Sequence, residues 1–300
     1  MHRWFVIACL ASILAVPGQA FAQDPEAAYK SAGARASSPL ATINYGADPL
    51  QVADLRVPAG EGPFPVAILL HGGCFRASVD NRRSISAVAD ALGREGFATW
   101  NIEYRRVGDP GGGWPGTFED VAEGVDKLVE IAPRYRLDLN RVTIVGHSAG
   151  AFFALWAASR PQLPVPWYGA ALRPVSVVAI DGPGTLAPFV GIDAQVCGEP
   201  VIVPLMGGTP GERPSEYDIA SPQDHLAPGV RQLAVTADLG DFMQPYIAAV
   251  RASGGTIDVL APPDANHFDV VTPGTPNGDA VIDFITAHAL TPAADPGDRR

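Results

Sequence analysis

The stretch Val142-Thr143-Ile144-Val145-Gly146-His147-Ser148-Ala149-Gly150-Ala151 decides the reading of this chain. Val142–Val145 is a short apolar run of the kind that forms a buried strand. Ala149–Ser159 is apolar throughout and ends at Arg160-Pro161, which suits a buried helix. Between them, Gly146–Gly150 fits G-x-S-x-G, a sharp strand-to-helix turn that lifts a serine hydroxyl above the edge of a sheet. The two glycines permit the close backbone approach that such a turn needs. Ser148 also opens the helix, so backbone N–H groups converge beside it, where an anion is stabilised. Ser148 is therefore the expected nucleophile.

Working outward, strand and helix signals alternate. Strands are expected at Val52–Val57, Val66–Leu70, Phe97–Tyr104, Val175–Ile180, Gln232–Val235 and Thr256–Leu260. Helices are expected at Ser84–Glu95, Phe118–Ala132, Phe242–Ala252 and Asp279–Ala289. Alternation of this kind predicts an α/β fold, a mostly parallel sheet with helices on both faces. Pro/Gly-rich stretches at 106–117 and 182–230 are long for plain connections and are expected to form a lid or cap. The domain is expected to span 41–290, preceded by a loose lead at 23–40 and followed by a disordered tail at 291–300.

Three further features surround the serine. His71-Gly72-Gly73-Cys74 follows the strand Val66–Leu70. A glycine-rich loop there offers N–H groups to a tetrahedral oxyanion, so Gly72, Gly73 or Cys74 is expected to act with the N–H of Ala149. Of the six histidines, His267 in Asp264-Ala265-Asn266-His267-Phe268 follows a late strand and is the expected base. The acid is sought between serine and base in the order Ser…acid…His. Asp238 and Asp241 both qualify; Asp238, two residues past the strand end, is preferred, and Asp241 suits the first turn of the next helix. His147 and Trp114 are expected to face the substrate.

The chain resembles the α/β-hydrolase fold esterases, and within them the carboxylesterase and arylformamidase (kynurenine formamidase-like) group. The resemblance runs over most of residues 45–272, through His71-Gly72-Gly73-Cys74-Phe75, Tyr104-Arg105-Arg106, Gly146–Gly150, Gly207-Gly208-Thr209-Pro210, Ala220-Ser221-Pro222 and Asn266-His267-Phe268. In that group the acid lies in a D-x-x-E-F-like stretch, which Asp238-Leu239-Gly240-Asp241-Phe242 resembles, with Asp241 in place of the Glu. The resemblance implies a serine hydrolase acting on carboxylic esters, with no metal or organic cofactor. Formamide or peptide cleavage on the same residues, and a non-catalytic binding protein on the same fold, are the alternatives.

Composition narrows the setting. The 300 residues are 47% hydrophobic and 18% charged, with a net charge of −11. That excludes a disordered chain and a multi-span membrane protein, and the scattered basic residues argue against a nucleic-acid surface. Arg3, the apolar run Trp4–Val16 and Ala20-Phe21-Ala22 before Gln23 read as a signal peptide over 1–22, too short to span a bilayer. A periplasmic or extracellular enzyme acting on a small-molecule ester is expected. Cys74 and Cys197 would remain after cleavage, as one disulfide or as two buried thiols.

Overall fold

A computed structural model describes residues 24–168 and 172–291. The expected signal peptide over 1–22 and all but the first residue of the expected tail at 291–300 lie outside the described residues. One eight-stranded sheet organises the chain: β1 (Ala41–Asn44), β2 (Val52–Arg56), β3 (Phe64–Leu70), β4 (Ala98–Ile102), β5 (Leu137–His147), β6 (Ser176–Ile180), β7 (Arg231–Val235) and β8 (Ile257–Leu260). Their spatial order is β1-β2-β4-β3-β5-β6-β7-β8. β2 is antiparallel to both β1 and β4, and every pairing from β4 through β3 to β8 is parallel.

The period-2 alternation of the central strands builds two cores. Val66, Ile68 and Leu70 of β3, with Val142 and Ile144 of β5, face one side. There they meet α3 (Gly116–Tyr135), α4 (Ala149–Ser159) and α8 (Gly240–Ala252). Ala67 and Leu69 of β3, with Val145 of β5, face the other side, against α2 (Ser86–Arg94) and α9 (Pro276–His288). All of α4 is buried, as a helix apolar around its whole circumference must be. No helix among the described residues is long and apolar enough to cross a membrane.

Two local expectations are corrected. Within the lead expected to be loose at 23–40, residues Pro25–Ala34 form α1. Asp24 caps it by accepting from the Glu26 N–H, and Tyr29 is 1% exposed, its hydroxyl 2.9 Å from Ser84 Oγ. Residues 41–44, left without an element in the sequence reading, form the edge strand β1. The stretch 182–230 carries three short helices, α5 (Asp193–Cys197), α6 (Ile202–Met206) and α7 (Pro214–Ile219).

Register places the chemistry. Leu70 pairs with Gly146, Gly146 with Ala179, Ile180 with Val235, and Val235 with Leu260. Five parallel strands thus end together, and the residues that follow them meet along one edge, where α/β sheets bind ligands.

Candidate active site

Ser148 sits between β5 and α4 with φ 56° and ψ −122°, in the left-handed region that non-glycine residues occupy only under constraint. The constraint is local crowding. A Cβ on Gly146 would lie 1.9 Å from the Gly150 carbonyl oxygen, and one on Gly150 would lie 2.1 Å from that of Leu70. Only glycine fits at either position. The Ser148 N–H donates to the Ile180 carbonyl at 2.9 Å, which pins the turn to β6.

His267 lies on the loop after β8, where three residues hold it. Its Nδ1 is 2.8 Å from Asp181 Oδ2. Its backbone N–H donates to Asp238 Oδ2 at 2.9 Å. Its carbonyl oxygen is 2.9 Å from His147 Nε2. The acid facing the imidazole is therefore Asp181 and not Asp238, contrary to the sequence expectation. Asp181 is the first residue beyond β6, and its N–H donates to the Val235 carbonyl. It is fully buried, and its carboxylate also accepts from the N–H groups of Ala237 and Leu239 at 2.7 and 3.0 Å. Those bonds fix the loop after β7 so that the exposed Asp238 reaches only the backbone of His267. Asp241 lies in the first turn of α8. The sequence reading looked only past β7; a carboxylate directly after the neighbouring strand, in Ile180-Asp181-Gly182, satisfies the same Ser…acid…His order.

His147, expected to face the substrate, lies mostly behind the cleft wall. It borders the cleft but is 2% exposed, with its ring 4.5 Å from that of His267. Burial holds its pKa well below the usual histidine value, and the neighbouring His267 adds to this. His147 is thus neutral, with Nε2–H donating to the His267 carbonyl. Trp114 is also misplaced in the sequence reading. Its ring packs against Phe118 and Trp167, with centroids at 4.8 and 5.0 Å, and it lines neither cavity beside Ser148.

The loop after β3 turns through Gly73, Cys74 and Phe75, all with positive φ. A Cβ on Gly72 would stand 3.0 Å from Ser148 Cβ, so this loop passes directly over the serine. The N–H groups of Gly73, Cys74 and Ala149 meet no protein acceptor among the described residues. Beneath the loop, His71 places Nε2 2.9 Å from Glu103 Oε1 and stacks on Tyr104. Burial would raise the Glu103 pKa; the adjoining His71, the Arg106 guanidinium and the Arg82 N–H outweigh it and bring it to about 2. Cys74 is disulfide-bonded to Cys197, the last residue of α5.

Ser148 lines two cavities. One of about 50 Å3 is apolar, walled by Phe75, Pro183, Phe189, Ile202 and Phe242. The other, of about 360 Å3, is bordered by Glu26, Lys30, Asp80, Asp238 and His267. It shares Lys30, Val79 and Asp80 with a polar groove of about 590 Å3 that runs past Arg56 and Arg82.

Residues 53–230 match the BD-FAE family. The chain belongs to this family of α/β-hydrolase esterases. No curated protein matches it. Among solved structures it is similar to a bifunctional GH43-CE protein of Bacteroides eggerthii, with 20% identity, a TM-score of 0.64 and 83% of this chain covered; this chain spans 38% of that protein's length. It is also similar to Esterase B from Lactobacillus rhamnosis, with 18% identity, a TM-score of 0.71, and 87% and 89% of the two chains covered. A hyperthermophilic esterase from the archaeon Pyrobaculum calidifontis gives 18% identity and a TM-score of 0.70, with 89% and 92% covered. At these identities the likeness shows the fold.

Proposed function

We propose that this BD-FAE family member is an exported serine carboxylesterase that removes short acyl groups from bulky, hydroxyl-rich alcohols. The observation that carries the reading is the position of Ser148 between a small apolar pocket and a much larger cleft bordered by His267 and by the charged side chains of Glu26, Lys30, Asp80 and Asp238. The apolar pocket holds about four water-sized groups, enough for an acyl chain of about two to four carbons. This larger cleft, continued by the polar groove past Lys30 and Asp80, receives the alcohol. Esterase B, similar in fold, is described with a tributyrin phosphonate inhibitor.

The chemistry follows from the placement of the groups. Ser148 Oγ attacks the ester carbonyl while His267 takes its proton. Asp181 fixes the tautomer with Nδ1–H toward itself and offsets the imidazolium charge. The N–H groups of Ala149 and of the 73–74 loop take the oxyanion. His267 then passes its proton to the departing alkoxide, and water releases the acid from Ser148. The leader sequence and the Cys74–Cys197 disulfide support a periplasmic or extracellular site of action.

The test is a panel of p-nitrophenyl esters of rising chain length, an acetylated oligosaccharide and N-formylkynurenine. Acetate to butyrate should be preferred over octanoate by at least tenfold in kcat/KM. A fluorophosphonate should label Ser148 in the wild type and nothing in Ser148→Ala. A preference for octanoate, or turnover by Ser148→Ala, overturns the reading. Recovery of a chain beginning at Gln23 in the periplasm or medium tests export.

A further inference from the structure

Cys74 and Phe75 are consecutive non-glycine residues with φ of 52° and 60°, following Gly73 at 110°. Backbone of this kind persists only where its surroundings over-determine it. Phe75 has its own anchor, since its ring meets the edges of Phe152 and Phe153 at 5.9 and 5.5 Å. Cys74 is half-buried at the margin of the core, and its side chain is tied to Cys197 across 123 residues of sequence. An ion pair between Arg76 and Glu199 joins the same two segments. Cys197 ends a five-residue helix whose base is held by Asp193, which accepts from the N–H groups of Val201 and Ile202 at 2.7 and 2.9 Å. The disulfide is therefore the covalent strut between the oxyanion loop and a braced piece of the acyl-pocket wall.

Its position in the site is equally specific. Cys74, Cys197, Val196, Leu239 and Ser148 line both cavities, so the sulfurs stand on the partition between the acyl pocket and the alcohol cleft. We propose that this disulfide is a redox latch on the active site: oxidised, it aims the Cys74 N–H at the oxyanion and closes the acyl pocket, and reduced, it releases both. Cys197 is thus a positioning residue that acts through Cys74. The inference rests on the reading of Ser148 as the nucleophile of an esterase. An open cleft lets a small dithiol reach the bond. One reductant thiolate attacks a cysteine sulfur and forms a mixed disulfide; its second thiol displaces the protein sulfur. Two electrons and two protons pass to Cys74 and Cys197, and the dithiol leaves as its own disulfide. A thiol-reducing compartment would by this means keep the chain inactive before export.

The experiment compares oxidised wild type, wild type reduced with dithiothreitol, and Cys197→Ser, all at 25 °C. Alkylation counts the thiols, and near-UV circular dichroism and Tm follow the fold. Reduction should lower kcat on p-nitrophenyl acetate by at least tenfold, toward the ~10²–10³-fold loss of one oxyanion donor, with KM changed less than about threefold. Inhibition by a trifluoromethyl ketone should weaken in parallel, and the ratio of hexanoate to acetate turnover should rise. Reoxidation should restore kcat, and Cys197→Ser should match the reduced enzyme and ignore reductant. Two alkylatable thiols with kcat within twofold of the oxidised enzyme would overturn the latch, as would loss of the near-UV signal on reduction, which would make the bond a fold staple. Oxidised wild type inactive on every ester would instead overturn the esterase reading on which the latch depends.

Discussion

Replacing Asp181 by Asn is the sharpest probe of the site. Asn keeps the size of the side chain and leaves one oxygen to accept from the N–H groups of Ala237 and Leu239. The other position becomes an NH2, which cannot accept from His267 Nδ1–H. It donates instead and stabilises the tautomer with the proton on Nε2, which cannot take the proton of Ser148. The expected cost is up to ~10⁴-fold in kcat, or about 5 kcal/mol of transition-state stabilisation. Asp238→Asn should behave differently. Its remaining oxygen still accepts from the backbone N–H of His267, so kcat should stay within about threefold of wild type. Asp238→Ala removes that bond at about 1 kcal/mol, and kcat should fall by about tenfold at most. The assay is saturation kinetics on p-nitrophenyl acetate, with Tm recorded for each variant to separate turnover from folding. An inactive Asp238→Asn beside an active Asp181→Asn would refute the assignment. Two active variants would refute any acid at this imidazole.

Other perturbations test neighbouring parts of the argument. His147 is neutral when folded, with a pKa below its unfolded value of about 6.5, so the unfolded chain binds the extra proton. Its contribution is present above pH ~6.5 and is lost as the pH falls, at up to ~1.4 kcal/mol per pH unit; chemical denaturation of His147→Gln between pH 7 and 5 should show a slope smaller by up to one proton. Phe189→Ala enlarges the acyl pocket beside Phe242 and should move the kcat/KM optimum from acetate toward hexanoate by at least tenfold. Tyr29→Ala should cost ~3–5 kcal/mol and lower Tm, because this ring anchors α1 in the core; an unchanged Tm would show α1 to be dispensable.

The parts of the fold that are legible in the sequence are those with a strong period. The strands β3 and β5 and the helix α4 are runs whose burial leaves little choice; α4 has the expected boundaries and β3 begins two residues early, whereas β5 runs from Leu137 to His147, well beyond the apolar run Val142–Val145. The elbow at Ser148 is legible because its two glycines stand at a fixed spacing between an apolar strand and an apolar helix; Gly146 is demanded by the nearby Gly150 carbonyl, whereas Gly150 is demanded by the Leu70 carbonyl of β3, a contact that the sequence does not display. The edge elements were not. β1 is four residues of half-buried strand whose identity comes from pairing with β2. α1 is small-residue-rich, and its one anchor, Tyr29, finds its partner Ser84 at a distance of 55 residues in sequence. The acid at His267 failed for the same reason. Spacing along β7 singles out Asp238, but which carboxylate meets the ring is set by the register of β6 against β7 and by the Ala237 and Leu239 N–H groups. Trp114 failed because an aromatic in a Gly-rich loop looks exposed, whereas its partners Phe118 and Trp167 bury much of it.

Electrostatics gives a reason why Asp181, of the two carboxylates, should serve the ring. In the proposed mechanism an imidazolium forms at His267 in the transition state, and its stabilisation depends on the medium between the charges. Asp181 is fully buried, and its bond to Nδ1 lies inside protein. Asp238 is exposed, so its carboxylate faces solvent. At a separation of 4 Å, two unit charges interact by about 1 kcal/mol in water and about 4 kcal/mol at an effective dielectric of 20. A swing of Asp238 toward the ring would thus supply only a fraction of what Asp181 supplies, and salt would screen it further. Asp181 costs more to bury, but three donors share its charge: Ala237, Leu239 and His267. The division of labour is then physical: the dry carboxylate holds the charge and tautomer of the base, and the wet one, with His147, holds its backbone. Raising the ionic strength from 0.05 to 1 M should accordingly leave kcat of wild type within about twofold, because the pair that matters is not reached by counterions. A kcat that fell tenfold over that range would mean that an exposed carboxylate, and so Asp238, carries the ring.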